Sequence, residues 1–347
     1  MILTYKLKHN RDFGKELLLA KKVAEFGIKN RTLSSKDVKH IGLKSMIANQ
    51  ILRKYVRNKN VKRVKSVKLT IPSQGIKVEK QSRTIYIPCL KFSFEYNFSN
   101  NFEKVNQIEI GDEYIYVAVT VKEEETKHVE KYIGVDLNAT GHCAVLANPE
   151  TGKVWKLGKK VEHIHKKYRN MRRNLQKKGK YKKVKQIMNR ESRIVKDLNH
   201  KISRKIVEVA KKDNCGIKLE KLKGIRNNGK CRRTFKYSLN SWSFDQLQRM
   251  IEYKAKLQGI PVAYIEPAYT SQTCSRCGLV GYRNGKTFKC PCCGHVDHAD
   301  VNASFNIALR RECVGRFSTD RDVLKGSTDT PKEATLRMIE TLEPLTL

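Results

Sequence analysis

Two Cys-x-x-Cys pairs constrain the fold of this chain more than any other feature. The first is Cys274-Ser-Arg-Cys277, and the second, twelve residues later, is Cys290-Pro-Cys-Cys293. A two-residue spacing lets one tight turn present two thiolates, and two such turns complete the four-sulfur shell that Zn²⁺ prefers. Glycine follows each pair, at Gly278 and Gly294, where the turn needs backbone freedom. We therefore predict a zinc ribbon over 273–296, with Cys274, Cys277, Cys290 and Cys293 closing one structural zinc site.

The other cysteines are not expected to bind metal. Cys292 lies inside the second pair, and because the two-residue spacing favours Cys290 and Cys293, we expect it to be a bystander. His295 and His298 are expected to lie in solvent or beside the zinc ligands. Buried structural thiols are the interpretation favoured for most of the five single cysteines, which are Cys89, Cys143, Cys215, Cys231 and Cys313.

The charge of the chain indicates a polyanionic partner. Its 347 residues carry 72 Lys and Arg against 34 Asp and Glu, a formal net charge of +38. This imbalance disfavours an ordinary metabolic enzyme and favours nucleic acid. The sequence has no apolar run of membrane-spanning length and no secretion signal, so we expect no membrane partner and a place in the reducing cytoplasm. The hydrophobic content of 39% is enough for two or three domains.

The strongest basic segment is 159–212, which holds 21 Lys and Arg against four acidic residues. Its apolar spacing predicts a helical hairpin broken near Lys178-Gly-Lys180. Although a charge run is often only a solvated surface, this excess predicts contacts to nucleic-acid phosphates. The candidate contacts are Arg172, Arg173, Lys182 and Lys183.

A second basic segment mixes cations with aromatic residues. Arg232 and Arg233 lie close to Phe235 and Tyr237, and Trp242 follows. This mixture is typical of surfaces on which unpaired bases stack, so Arg232 and Arg233 are also candidate nucleic-acid contacts. Core packing is at least as good an explanation for Trp242.

The N-terminal third predicts a β-rich domain interrupted by helices. Alternating residues over 1–10 and 61–128 predict strands of an antiparallel barrel or sandwich. Helical spacing over 11–60 predicts a small helical lobe, in which Ser34-Ser-Lys-Asp37 offers N-cap residues for a helix reaching Leu52. Beyond residue 128 strands and helices alternate, which predicts an α/β domain over 129–272 and 297–312. The remaining 313–347 is expected to be a peripheral or flexible tail.

Three acidic residues stand where short apolar strands or the ribbon deliver them. Asp136 ends Tyr132-Ile-Gly-Val-Asp136, Glu220 ends Gly216-Ile-Lys-Leu-Glu220, and Asp300 lies in Asp297-His-Ala-Asp-Val-Asn302, just after the ribbon. Each alone is typical of a strand that turns towards water. Together they predict one nuclease site, because carboxylates bind Mg²⁺ and a pair of such ions can cleave a phosphodiester.

These motifs occur in an order that resembles the TnpB family of transposon-encoded, RNA-guided DNA endonucleases, which are related to compact type V CRISPR effectors. The resemblance covers roughly 132–309 and includes Ala268-Tyr-Thr-Ser-Gln-Thr-Cys274 and Ala299-Asp-Val-Asn-Ala-Ser-Phe-Asn306. It implies a multidomain α+β fold: an N-terminal wedge β-barrel with an inserted helical lobe, then a RuvC-like α/β domain of ribonuclease H fold with an inserted zinc ribbon.

The resemblance also implies the chemistry and the partners. Asp136, Glu220 and Asp300 match the three acidic positions of the family and would bind two catalytic Mg²⁺ ions, with Mn²⁺ as an alternative. The partners would be a guide RNA and double-stranded target DNA in a prokaryotic cell. Three alternatives stay open: a nuclease-inactive RNA-guided regulator, a guide-independent transposase or resolvase, and a CRISPR-associated effector.

Overall fold

The computed structural model describes residues 1–58, 60–222, 238–239 and 242–310. These residues form a mixed α+β structure with two large hydrophobic cores, one in the N-terminal region and one in the region that follows it. A third, small cluster lies in the cysteine-rich segment. Among the described helices, none combines the length and the apolar character needed to cross a membrane.

The N-terminal region packs two antiparallel sheets and two helices around one core. Its strands are β1 (Ile2–Lys8), β2 (Leu69–Pro72), β3 (Lys77–Glu79), β4 (Thr84–Ile87), β5 (Phe92–Glu95), β6 (Lys104–Ile110) and β7 (Tyr114–Thr120), and its helices are α1 (Gly14–Asn30) and α2 (Ser45–Val56). The strand order is β1-β7-β6-β2 in one sheet and β3-β4-β5 in the other. Within the described residues no strand pairing joins the two sheets, and the wedge barrel stays a prediction.

Strand β1 pairs with β7, so the start and the end of the N-terminal region lie side by side. The register runs from Ile2 opposite Thr120 to Lys8 opposite Tyr114, and both helices lie in the connection between β1 and β2. The prediction that a helix begins after an N-cap within Ser34–Asp37 is wrong. Gly42, with φ of +83°, ends a short 3₁₀ turn, and α2 begins only at Ser45.

The second region is built on a five-stranded sheet flanked by helices. Its strands are β8 (Tyr132–Leu137), β9 (Ala144–Ala147), β10 (Val154–Leu157), β11 (Gly216–Glu220) and β12 (Val262–Ile265), and its helices are α3 (Lys159–Lys177), α4 (Tyr181–Lys212), α5 (Phe244–Lys256) and α6 (Ala299–Leu309). The order is β10-β9-β8-β11-β12. Strands β8, β11 and β12 are parallel to one another, and β9 pairs antiparallel with both β8 and β10. The predicted break between the basic helices is confirmed at residues 178–180.

Helix α6 packs unusually close to the central strand β8. A Cβ atom on Gly134 would lie 2.0 Å from the carbonyl oxygen of Ser304, so only glycine permits this approach. The buried Lys218 of β11 donates hydrogen bonds to the carbonyl oxygens of Ala308 (3.1 Å) and Arg310 (2.7 Å), which are left without helical partners at the end of α6. The sheet therefore fixes both the tilt and the end of α6.

The cysteine-rich segment forms a three-stranded antiparallel sheet that leads directly into α6. Its strands are β13 (Tyr282–Asn284), β14 (Thr287–Lys289) and β15 (Val296–His298). The His298 side chain accepts a hydrogen bond from the backbone N–H of Asp300 and so caps α6. A shift of this small sheet would therefore also move the first turn of α6.

Candidate functional site

The three predicted carboxylates meet at one edge of the central sheet. Asp136 lies near the end of β8 and Glu220 ends β11, and because these neighbouring strands are parallel, their carboxyl ends point to the same edge. Asp300 is the second residue of α6, which packs on β8. Asp136 and Asp300 are buried, with 8% and 1% exposure, and Glu220 is partly buried.

Burial disfavours the charged forms of Asp136 and Glu220. Burial, followed by the charges of Glu220 and Asp300, raises the pKa of Asp136 well above its usual range. Burial also raises the pKa of Glu220, while a hydrogen bond from Thr270 opposes that rise. An arrangement in which carboxylates repel one another in a buried place favours the binding of a cation between them. The donor set, all hard oxygen atoms, fits Mg²⁺ or Mn²⁺.

Neighbouring side chains orient the carboxylates and were not singled out by the sequence. The Asn138 amide donates to Asp136 Oδ2 at 2.9 Å. Lys286 donates to both carboxylate oxygens of Asp300, at 2.7 and 2.9 Å, and Arg283 lies 3.7 Å from the same group. Asn138 lies two residues after an acidic strand end, a spacing that could have marked it. Lys286 follows an ordinary Asn-Gly turn, and no sequence signal identifies it.

Glu220 is held by a buried threonine whose loop is hydrogen-bonded to α6 and to the residue that follows it. Thr270 is 3% exposed and its hydroxyl lies 2.5 Å from Glu220 Oε1. The loop is fastened from α6, because Asn306 donates to the carbonyl oxygen of Thr270 and Arg310 donates to that of Ala268. Thr270 therefore links the position of Glu220 to the helix that carries Asp300.

Replacing Thr270 with valine is expected to weaken divalent-metal binding about tenfold, since a hydrogen bond to a charged group contributes roughly 1.5 kcal/mol. Valine keeps the volume but leaves Glu220 free to turn. Thr270→Ser, which retains the hydroxyl, should bind metal like the wild type. Titration with Mn²⁺ followed by electron paramagnetic resonance measures both. Equal affinity of the valine and serine variants would contradict this role.

The four predicted zinc ligands converge. The sulfur atoms of Cys274, Cys277, Cys290 and Cys293 all lie within 4.8 Å of one another. The Sγ–Sγ distance is 3.6 Å between Cys274 and Cys293 and 3.5 Å between Cys277 and Cys290. Four thiolates at these separations fit a closed tetrahedral zinc site. Cys292 is exposed and outside the cluster, as its spacing predicted.

The glycines after each pair have the conformations that the knuckles require. Gly278 and Gly294 have φ of +75° and +70°, and each donates its N–H to the carbonyl oxygen of the first cysteine in its pair. Phe288 and the first cysteine of each pair are buried in the centre of the small sheet. The four sulfur atoms thus add to the small hydrophobic cluster at the centre of this sheet.

The predicted phosphate contacts on α3 and α4 differ in their surroundings. Arg173, Lys182 and Lys183 are exposed. Arg172 is instead largely buried and forms an ion pair with Glu191, which also binds His165 at 2.7 Å. The Arg172 guanidinium holds α3 against α4, because the buried Glu191 needs a cationic partner, and its contact to phosphate stays a prediction.

The structure describes only part of the second basic segment. Arg232 and Arg233, with Phe235 and Tyr237, lie outside the described residues. Trp242 is described and is 7% exposed in the core of the second region, next to Phe244 at a ring-centroid distance of 4.9 Å. Of the two interpretations offered for Trp242, core packing is confirmed.

Reversing the charge of the exposed cations is expected to weaken RNA binding and its salt dependence. The triple variant Arg173→Glu, Lys182→Glu, Lys183→Glu should lower the salt slope of binding by about 2 to 3, roughly one unit for each lost phosphate contact. Arg172→Ala is the matched neighbour: it should lower the melting temperature and leave that slope unchanged. Filter binding of a single-stranded RNA oligonucleotide across a potassium chloride series measures the slope. An unchanged slope in the triple variant would show that these three cations are only solvated and do not contact phosphates.

Comparisons with known proteins find similarity to TnpB-like and Cas12f proteins. A family model described as "Cas12f1-like, TNB domain" matches residues 244–307, which include α5, the cysteine-rich sheet and most of α6. A TnpB-like protein of Methanocaldococcus jannaschii is 39% identical over 177 residues, 48% of this chain and 64% of that protein. A TnpB-like protein of Aquifex aeolicus is 26% identical over 57% of this chain and 74% of its own length. This chain is similar to TnpB-like proteins over about half of its length.

The chain is also similar to Cas12f proteins, in keeping with the Cas12f1-like family model. The CRISPR-associated endodeoxyribonuclease Cas12f1 of Sulfoacidibacillus thermotolerans is 34% identical over 200 residues, 52% of this chain and 46% of that protein. The chain thus spans less than two thirds of the first curated relatives it matches. A cryo-EM structure of a Cas12f1, single-guide RNA and target DNA complex aligns over 89% of this chain and 99% of its own, with 19% identity and a TM-score of 0.45.

Proposed function

We propose that this TnpB-like protein is an RNA-guided, transposon-encoded DNA endonuclease that cuts its target at the carboxylate site. The observation that carries the proposal is the convergence of Asp136, Glu220 and Asp300 at the carboxyl edge of β8 and β11. The relation to a protein named as an endodeoxyribonuclease supports it. The net charge of +38 supports a nucleic-acid partner of considerable size.

The residues of the site would have different roles in a two-metal hydrolysis. Mg²⁺ ions bound there would orient the attacking water and stabilise the leaving oxygen. Asp136, Glu220 and Asp300 would hold these ions through their carboxylate oxygens. Asn138 and Thr270 hold the first two carboxylates by hydrogen bonds. Because Asp136 is largely withdrawn from solvent, its carboxylate acts in a site of low polarity, where electrostatic stabilisation of the reacting phosphate is strongest.

The other regions would position the nucleic acids. We assign 1–10 and 61–128 to a wedge barrel, 11–60 to a helical recognition lobe, 129–272 and 297–312 to a RuvC-like domain, and 273–296 to a zinc ribbon holding one structural Zn²⁺. The guide RNA would bind the exposed cations of α3 and α4 and pair with the target DNA. The ribbon would keep Asp300 in place, since β15 leads directly into α6.

Copurification with RNA tests the guided mechanism. The chain should be expressed together with its flanking genomic sequence, purified, and its bound RNA sequenced. We expect one discrete RNA whose variable end directs cleavage of a matched plasmid in Mg²⁺. A chain that cuts DNA without any RNA would be a guide-independent nuclease, and a chain that binds RNA and target without cutting would be a regulator. Either result would overturn the proposed function.

A further inference from the structure

The turn between β13 and β14 places a lysine in the carboxylate site. The Lys286 ammonium donates to Asp300 Oδ1 at 2.9 Å and Oδ2 at 2.7 Å, and it lies 3.4 Å from Asn138 Oδ1. An ammonium group has three N–H donors, and these three oxygens can accept all of them. Lys286 therefore joins Asp300 to the residue that holds Asp136.

The backbone around Lys286 directs its side chain to this place. Its carbonyl oxygen accepts a hydrogen bond from the N–H of Ala299, the first residue of α6, at 2.8 Å. The side chain passes Gly141, where a Cβ atom would lie 3.9 Å from Lys286 Cε. The turn is thus fastened to α6 while the four-carbon stem of the side chain remains the movable part.

We propose that Lys286 competes with the divalent cation for Asp300, so that metal loading requires the lysine to withdraw. This inference rests on the proposed function, which makes Asp300 a metal ligand. An ammonium and a metal ion need the same carboxylate lone pairs, and both oxygens of Asp300 are engaged by Lys286. The lysine side chain is 38% exposed, so it has a path to solvent. Its flexible stem can move without unfolding the turn.

This competition would couple the binding of metal at Asp300 to the binding of DNA. A phosphodiester that enters the site offers the displaced ammonium another anionic partner. Arg283, 3.7 Å from Asp300, keeps part of the positive charge nearby when Lys286 leaves. Divalent metal should therefore bind more tightly when DNA is present than to the protein alone.

The test is a Mn²⁺ titration of the purified protein without nucleic acid, followed by electron paramagnetic resonance of the free ion. Lys286→Met should lower the Kd for Mn²⁺ about tenfold, the effect of removing roughly 1.4 kcal/mol of competing interaction. Lys286→Gln, which can still hydrogen-bond Asn138, should give the same direction. Lys289→Met is the matched control, since it removes one charge from an exposed position of β14. Its Kd should equal that of the wild type.

The outcomes separate this inference from the proposed function. If the wild type binds Mn²⁺ and Asp300→Asn abolishes that binding, the metal site stands. The inference is then overturned by a Lys286→Met protein that binds Mn²⁺ no more tightly than Lys289→Met, with unchanged zinc content and circular dichroism as evidence of folding. Absence of Mn²⁺ binding in all variants, including Lys286→Met, would overturn the inference and the proposed metal site together.

Discussion

Replacing Asp136 with asparagine is expected to reduce DNA cleavage at least a thousandfold while leaving RNA binding nearly unchanged. Asparagine keeps the size of the side chain but removes the charge that would hold the metal. Loss of about 4 kcal/mol of transition-state stabilisation corresponds to about a thousandfold in rate. Glu220→Gln and Asp300→Asn should behave alike, because the three carboxylates share one site and their effects are not additive.

RNA binding should survive these substitutions because it depends on cations elsewhere, such as the exposed ones on α3 and α4. Glu266→Gln is the matched control for Glu220→Gln. Glu266 lies just after β12, is 59% exposed and pairs with Lys221, so its loss should leave cleavage unchanged. The measurement is single-turnover cleavage of a matched plasmid with saturating RNA. Wild-type rates in the Asp136→Asn protein would contradict the assignment.

Loss of the zinc site is expected to abolish cleavage as completely as loss of a carboxylate. The wild type should hold about one zinc ion per chain, and Cys277→Ser should lose it, because a structural site needs all four thiolates. The small sheet then loses its core, and with it the His298 cap and the β15 connection that fix the first turn of α6. Asp300 would no longer be held near Asp136.

Cys292→Ser is the matched control for the zinc prediction. Cys292 is exposed and lies outside the sulfur cluster, so its substitution should change neither zinc content nor cleavage. Elemental analysis of protein purified without chelator gives the zinc content. Full zinc retention by Cys277→Ser, or zinc loss by Cys292→Ser, would mean that the ligands have been paired wrongly.

Much of the site could be predicted because its residues lie in local patterns. The strand Gly216–Glu220 is a short apolar run that ends in a carboxylate, and the structure gives it the same bounds. The cysteine pairs carry their own turn chemistry, including the glycines that follow them. A pattern of this kind requires no knowledge of distant contacts, because the strand period or the metal spacing is contained within a few residues.

The contacts that sequence patterns missed depend on residues far apart in the chain. Lys286 meets Asn138 across 148 positions, and Thr270 meets Glu220 across 50. Arg172 looked like one more cation of a basic helix until Glu191, on the next helix, proved to be its partner. Helix spacing also could not show that Gly42 would interrupt the segment before α2. Tertiary packing decides each of these cases, and periodicity does not report it.

Guide-directed cleavage is the measurement that tests the central claim most directly. Purified protein with its copurified RNA and Mg²⁺ should be mixed with two plasmids, one matching the variable end of the RNA and one with that sequence scrambled. We predict that the matched plasmid alone is cut, and that the Asp136→Asn complex binds it without cutting. Equal cutting of both plasmids, or cutting by the Asp136→Asn complex at the wild-type rate, would contradict the account.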